Sequence, residues 1–454
     1  MMINIIIGIL MIASFLGLVY YCVKGYNLMV SFFIMSTLWV ILVLVGNALS
    51  PVPSMEGTTI LDVVKTVYQG GPENYAQTIL VNIFFGAFFG RVLMDTGIAS
   101  TLIRKTVELG GDRPSLTMIL LCIVTGVCFT SMTGIGPVIS IAVIVLPIFL
   151  ALGIPSPISL FAFMGSIMSG ILLNVTAYAQ YNGILAGIDP RFAEEYSYQD
   201  YFSFGIVAMV IVLIVVLSIS LFALNRNKPG HAWAATTGRA QAEIKDAPWF
   251  SWISVIMPVV LIVAVKCPII LAFIVSSLYA LITCGKMKDG FTNVCTMLAR
   301  QFTDGATDVA PMIGFLLVLS MFNKAAVFAA PYFESIIGGI FPSNPLLLCL
   351  LFALIFPLGF FRGPTTLTGC GTATAVVVLS IAPWSIPFIY PLFSITTIIP
   401  QHMDLTQSWV AWGLGYGKVA SKDFMKYSIP AVWVSGILCC IAVYLLFGSA
   451  AIAA

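Results

Sequence analysis

The sequence predicts an all-α polytopic membrane protein: about ten transmembrane helices plus two re-entrant helical hairpins, arranged as two inverted-topology repeats with discontinuous helices. Three observations carry this expectation. The 454 residues are 60% hydrophobic and only 8% charged, whereas about a quarter of the residues of a soluble protein carry charge. Apolar runs recur at the length needed to cross a hydrocarbon core. A Thr/Gly-rich motif in the first half returns in the second. At roughly 20 residues per crossing, nearly the whole chain lies in the bilayer, which excludes a large water-exposed catalytic domain. With 20 Lys and Arg against 18 Asp and Glu, the formal charge of +2 gives no nucleic-acid footprint.

Single crossings are expected over residues 3–22, 27–49, 77–98, 203–225, 248–266, 268–285, 306–323 and 428–447. Residues 1–22 have no basic stretch before the apolar run and no small-residue cleavage pattern after it, so they read as a retained span, not a signal peptide. Four further runs do not fit one straight crossing. Residues 114–150 would measure roughly 55 Å as a single helix and are interrupted by Thr130-Ser131-Met132-Thr133-Gly134-Ile135-Gly136-Pro137. Residues 345–383 are interrupted by the stretch from Arg362-Gly363-Pro364 to Gly371-Thr372. Each is expected to fold back, as a re-entrant hairpin or as two short full crossings. Residues 157–187 and 386–414 have polar interiors, Asn174 to Gln180 and Pro400 to Ser408, and are expected to be broken helices.

This pattern gives five crossings in residues 1–225, a polar linker loop over 226–247, and five more crossings in 248–454. With the loop in the cytoplasm, Arg91 and Arg362 are intramembrane and Lys65, Arg191, Lys266 and Lys324 fall outside. The remaining fourteen of the 20 Lys and Arg then lie on the cytoplasmic side, as the positive-inside bias requires. The ten cysteines fall mostly in apolar runs with no CxxC or Cys/His spacing, so they read as small hydrophobes, and no metal site is expected from them.

The motif Thr130 to Gly136 matches Thr365-Thr366-Leu367-Thr368-Gly369-Cys370-Gly371 at an offset of 235 residues, from 130 to 365. Further matches keep the same order: Gly110-Gly111 with Gly338-Gly339, Gln180 with Gln407, and Asp200-Tyr201-Phe202 with Asp423-Phe424-Met425. An odd number of crossings per copy inverts the second copy, and inverted repeats with discontinuous helices point to a secondary transporter with a midplane site. The alternative is that Gly/Thr-rich helix packing alone produces the pattern.

Irregular backbone in a bilayer must be buried in protein or line a wet cavity, so the two tips are expected to face each other around one. Each return half-helix starts near the membrane centre, at about Pro137 and Thr372, and offers unpaired N–H groups and a partial positive charge to an anion. Thr130, Ser131, Thr133, Thr365, Thr366 and Thr368 supply hydroxyls as caps or ligands, and Gly134, Gly136, Gly369 and Gly371 allow close backbone approach. Exposed carbonyls in the same turns suit a Na⁺ ion. Arg362, deep in the second hairpin, calls for a partner: a substrate carboxylate or a structural one. Asn174, Thr176 and Gln180 read as polar ligands or as interhelical hydrogen bonds. His402 and Asp404 form either a proton-coupling site or a structural polar cluster. Arg91 and Asp95 are expected to pair at i,i+4 or to snorkel. Asp304 and Asp308 read as a solvated helix start or as part of an ion pathway.

At these residues the chain resembles the ion transporter superfamily of organic-anion carriers. Gly90-Arg91-Val92-Leu93-Met94-Asp95-Thr96-Gly97-Ile98-Ala99, Leu146-Pro147, Leu152-Gly153-Ile154, and His402-Met403-Asp404 through Trp409 are most similar to the gluconate permease (gluconate:H⁺ symporter) branch. The resemblance implies inward carriage of a small organic anion, such as a sugar acid or other carboxylate, by an elevator-like motion. It also implies a homodimer in the bacterial cell inner membrane, with H⁺ or Na⁺ as coupling ion and no other cofactor. A channel or a cation/proton antiporter without an organic substrate is the alternative. An enzyme is not expected, because the chain has no HExxH and no GxSxG.

Overall fold

The computed structural model describes residues 2–24, 26–111, 113–226, 246–288, 290–337, 339 and 341–452. Most of the expected linker loop, 227–245, lies outside the described residues, as does Gly338 of the repeated Gly-Gly pair. The first elements are α1 (Met2–Val23) and α2 (Leu28–Leu49), the latter capped by the Asn27 side chain on the Val30 N–H. Next come α3 (Ile60–Lys65), α4 (Gly71–Tyr75) and α5 (Val81–Asp95), which follow one another through the π-helical stretches Thr66–Gly70 and Ala76–Leu80. A bend of 55° then leads into α6 (Ile98–Gly110). The bend sits at Gly97, whose φ of +78° favours glycine.

α7 (Pro114–Phe129) and α8 (Ile135–Ala151) flank tip 1, residues 130–134. α9 (Ser156–Ile171) and α10 (Val175–Ala186) form one helix broken at 172–174 and bent by 64°. The short α11 (Arg191–Glu194) leads to α12 (Tyr198–Arg226). In the second half, a 3-10 stretch Trp249–Val255 precedes α13 (Met257–Val265), α14 (Ile269–Thr283) and α15 (Phe291–Ile337). α16 (Pro345–Ile355) runs on in 3-10 turns and kinks at Phe360 and Phe361 ahead of Arg362, and tip 2 covers 363–370 before α17 (Gly371–Ile381). α18 (Ile386–Gln401) and α19 (Ser408–Gly417) flank a break at 402–407, and α20 (Ser421–Phe447) ends the helical array. The order helix, tip, helix, broken helix, long helix therefore occurs in both halves.

Among the described residues, five helical runs are long and apolar enough to cross a membrane, and up to seven if each bent pair is one span. The expected ten are not reached by length alone, because several apolar helices, such as α14 and α17, have only 10–17 residues. The expectation of a single crossing over 306–323 needs correction. α15 is 47 residues long, about 70 Å at 1.5 Å per residue. The acids that bound the apolar stretch on its N-terminal side do not end the helix, because arginines neutralise them: Arg91 holds Asp308, and Arg300 lies 4.0 Å from Asp304. Beyond the stretch, Lys324 donates to the Gly187 carbonyl at 2.9 Å instead of sitting in a connecting loop.

α1, α2, α5 and α17 pack on α15, while α9 packs on α7 and α12, and α20 packs on α12, α16 and α18. Helices in lipid associate mainly by close packing of small residues, and the α7–α9 contact is an example. A Cβ on Gly170 would overlap the backbone carbonyl of Gly126. The nine cysteines whose side chains are described form no disulfide. Gly170→Ala is expected to cost about 2 kcal/mol by overpacking, read as a lower thermal midpoint of the purified protein in detergent. Gly17→Ala, where an added Cβ meets nothing within 4 Å, serves as the silent control.

Candidate functional site

A break in a buried helix frees carbonyls and N–H groups that need partners. At the first break, the Tyr201 hydroxyl donates to Leu172 O at 2.7 Å and the Tyr198 hydroxyl to Leu173 O at 2.6 Å. Asn174 caps α10 by accepting from the Ala177 N–H at 3.0 Å. Its amide nitrogen donates to Phe129 O at 2.9 Å and to Met132 O at 3.0 Å, so one side chain holds both the break and tip 1. At the second break, a ring nitrogen of His402 lies 2.8 Å from Ile398 O, and the ring packs against Trp409 at 5.3 Å between centroids. Asp404, only 1% exposed, accepts from the Thr406 N–H at 2.9 Å, which closes the short turn of the break.

Tip 2 is held by its own backbone and by α18. Phe361 and Arg362 have φ of +55° and +59°, a left-handed conformation that costs non-glycine residues about 1 kcal/mol or more each. The Cys370 N–H donates to Arg362 O at 3.2 Å, and Gly369 lies so close to the Arg362 backbone that a Cβ there would overlap it. A Cβ on Gly371 would likewise meet the Thr366 backbone. The Thr366 hydroxyl donates to Gly359 O at 2.8 Å, and the Leu367 N–H donates to the Thr397 hydroxyl at 2.9 Å. Arg362 donates to the Thr368 hydroxyl at 3.0 Å and to Gln407 Oε1 at 2.8 Å. Gln401 Oε1 in turn accepts from Thr368 at 3.0 Å and from Tyr181 at 3.2 Å. One chain of hydrogen bonds thus runs from α10 through α18 and tip 2 to the start of α19.

Two neighbouring cavities border this chain. One is narrow, with room for little more than a single water molecule, and is lined by Thr133 and Gly134 of tip 1 together with Tyr181 and His402. The other is an open cleft of about 660 Å³, lined by Arg362, Thr368, Gln407 and Ser408 together with Phe315 of α15. Gln180, Met312, Gln401 and Trp409 line both, so the tips look onto a shared wall. The Phe315 ring lies 5.3 Å from the Arg362 guanidinium carbon, a cation–π distance.

Of the residues singled out from the sequence, Thr133, Gly134, Gln180, Arg362, Thr368 and His402 thus line the cavities. Thr130, Ser131, Gly136, Asn174, Thr365, Thr366, Gly369, Gly371 and Asp404 are not among the lining residues. The hydroxyl of Thr130 donates back into its own helix, to Val127 O at 2.7 Å, and Asn174 and Asp404 are engaged by the breaks. The hydroxyls of Ser131 and Thr365 are buried with no hydrogen-bond partner among the described residues. Sequence reasoning missed Gln401, Trp409, Tyr181, Phe315 and Met312 as lining residues. The signal for Gln401 was an amide inside an apolar run; Phe315 and Met312 carried none, because they are ordinary members of an apolar helix.

The pairing of Arg91 with Asp95 also needs correction. Arg91 grips Asp308 of α15 with two hydrogen bonds of 2.6 Å, while Asp95 lies 3.6 Å from Arg300. A planar guanidinium fits a facing carboxylate with both arms, and Asp308 across the helix contact offers that geometry. Asp308 is therefore an ion-paired, mostly buried group with 11% of its side chain exposed, not a solvated helix start.

No family model and no curated protein matches the chain. Among solved structures it is similar to the YdaH transporter of Alcanivorax borkumensis, whose crystal structure is described as having an unusual topology. The TM-score is 0.64 at 12% identity, covering 93% of this chain and 99% of that one. The chain therefore has the fold of a membrane transporter. This likeness lends no particular support to the gluconate permease branch.

Asn174→Ala is expected to release tip 1 and uncap α10 together. The cost is about 3 kcal/mol, from one lost cap and two buried carbonyls left without donors, measured as a lowered thermal midpoint in detergent.

Proposed function

We propose that the chain is a secondary active transporter, a symporter that moves a small organic anion such as a sugar acid or other carboxylate, driven by H⁺ or Na⁺. The observation that carries this reading is Arg362, which fronts an open cleft between a tip and a helix break in a chain with a transporter fold. A guanidinium binds a carboxylate through two parallel hydrogen bonds, and Gln180, Gln401, Gln407 and Ser408 surround it with neutral polar groups for the rest of the cargo. The recurring element order supports two inverted repeats, 1–225 and 248–454, and an elevator-like motion of tips and broken helices against α15. The Lys and Arg distribution supports a cytoplasmic 226–247 loop, and the family resemblance supports a homodimer in the bacterial inner membrane.

For coupling, His402 and Asp404 at the second break are the proton-carrying candidates. Ser131 and Thr365, with buried hydroxyls at the two tips, are the groups a Na⁺ ion would use. A thermal-shift panel of mono-, di- and tricarboxylates, with and without Na⁺ and at two pH values, tests the reading, because a ligand of the folded state raises its apparent stability. No stabilisation by any carboxylate, together with cation flux in their absence, would falsify it.

Two variants sharpen the test. Arg362→Ala and Arg362→Lys are each expected to weaken carboxylate binding by roughly 10- to 100-fold, the loss of a charge-assisted bidentate contact. Unaltered uptake by both would make the arginine purely structural. Asp404→Asn is expected to abolish ion-driven accumulation in proteoliposomes while counterflow exchange survives. Unchanged accumulation would remove Asp404 from coupling.

A further inference from the structure

The start of a helix presents unpaired N–H groups and a partial positive charge, and it attracts an anion. At the start of α8 that anion belongs to the chain itself. A Cβ placed on Gly136 would overlap the Asp308 carboxylate, with Oδ1 at 2.6 Å. Two residues earlier, the same construction on Gly134 meets Val309 at 3.0 Å. Tip 1 therefore seats directly on the 308–309 step of α15. Arg91 fixes the carboxylate there with both arms, at 2.6 Å each. The start of α17 meets a different group on the same helix: Thr372 donates to the neutral Asn323 at 2.7 Å. The two half-helix starts are thus chemically unlike, although the sequence motif that forms them is shared.

We propose that Asp308 is the resident anion of tip 1: set by Arg91, its carboxylate fills the start of α8 and seats tip 1 on α15. Asp308 is in this view a positioning residue: it acts on the shape and docking of tip 1 and does not touch the cargo.

The test uses the purified full-length protein in detergent. Asp308→Ala is expected to lower the thermal midpoint by several degrees. Sodium formate, compared with sodium chloride at equal ionic strength, recovers most of that loss in the variant. Formamide, of similar shape and no charge, recovers none. Gly136→Ala lowers the wild-type midpoint but leaves the Asp308→Ala midpoint unchanged, because the space has been vacated; groups in contact are coupled in such a cycle and distant ones are not. Equal losses from Gly136→Ala in both backgrounds, or equal responses to formate and formamide, overturn the proposal. If Asp308→Ala does not survive purification, Asp308→Asn reads the charge alone, and a wild-type midpoint overturns it.

Discussion

A hydrocarbon interior offers no water to bond a freed N–H or C=O, and each such group left alone costs several kcal/mol. The tips and breaks exist only because side chains and neighbouring backbone answer that demand. At the first break the donors are neutral and aromatic, Tyr198 and Tyr201, with Asn174 bridging to tip 1. At the second the partners are polar and ionisable: a His402 ring nitrogen lies beside the Ile398 carbonyl, Asp404 accepts from the Thr406 N–H, and Arg362 donates to the Gln407 side chain. The two halves share an order of elements and differ in the chemistry that makes the order tolerable in lipid.

That difference extends to charge. A buried ion is costly unless paired and hydrogen-bonded, and the two arginines within the apolar region meet the demand differently. Arg91 holds a carboxylate of the chain across a helix contact. Arg362 donates to a hydroxyl and an amide and lies within electrostatic reach of the buried Asp404, while it fronts an open cleft. The first arrangement resembles a structural joint and the second a reception site, which is the asymmetry the proposed carrier mechanism uses. The left-handed backbone at Phe361 and Arg362 belongs with the second: local strain persists where surrounding structure over-determines it and where a side chain must be aimed.

Much of the helical architecture was legible along the chain. The apolar runs at α1, α2, α12 and α20, the interruptions at 130–137 and 362–372, and the polar interiors of 157–187 and 386–414 all correspond to observed helices, tips or breaks. These are local signals: run length against membrane thickness, and glycine, proline or hydroxyl residues inside an apolar stretch. The extent of α15 was not legible, because its acids looked like a boundary until Arg91 was brought to Asp308 from α5.

The candidate site divides along the same line. Sequence by itself determined that the chain lives in a bilayer, that its helices break at defined places, and which residues carry charge or hydroxyls there, because hydropathy and backbone freedom are properties of neighbours in sequence. Tertiary structure alone decided that Asn174 braces tip 1, that Asp308 and not Asp95 receives Arg91, and that Gln180, Gln401 and Trp409 share a wall between two cavities. Those facts depend on contacts between residues as many as 220 positions apart, such as Tyr181 and Gln401, and side-chain type in a linear string does not specify which of several distant partners close packing will bring within bonding distance.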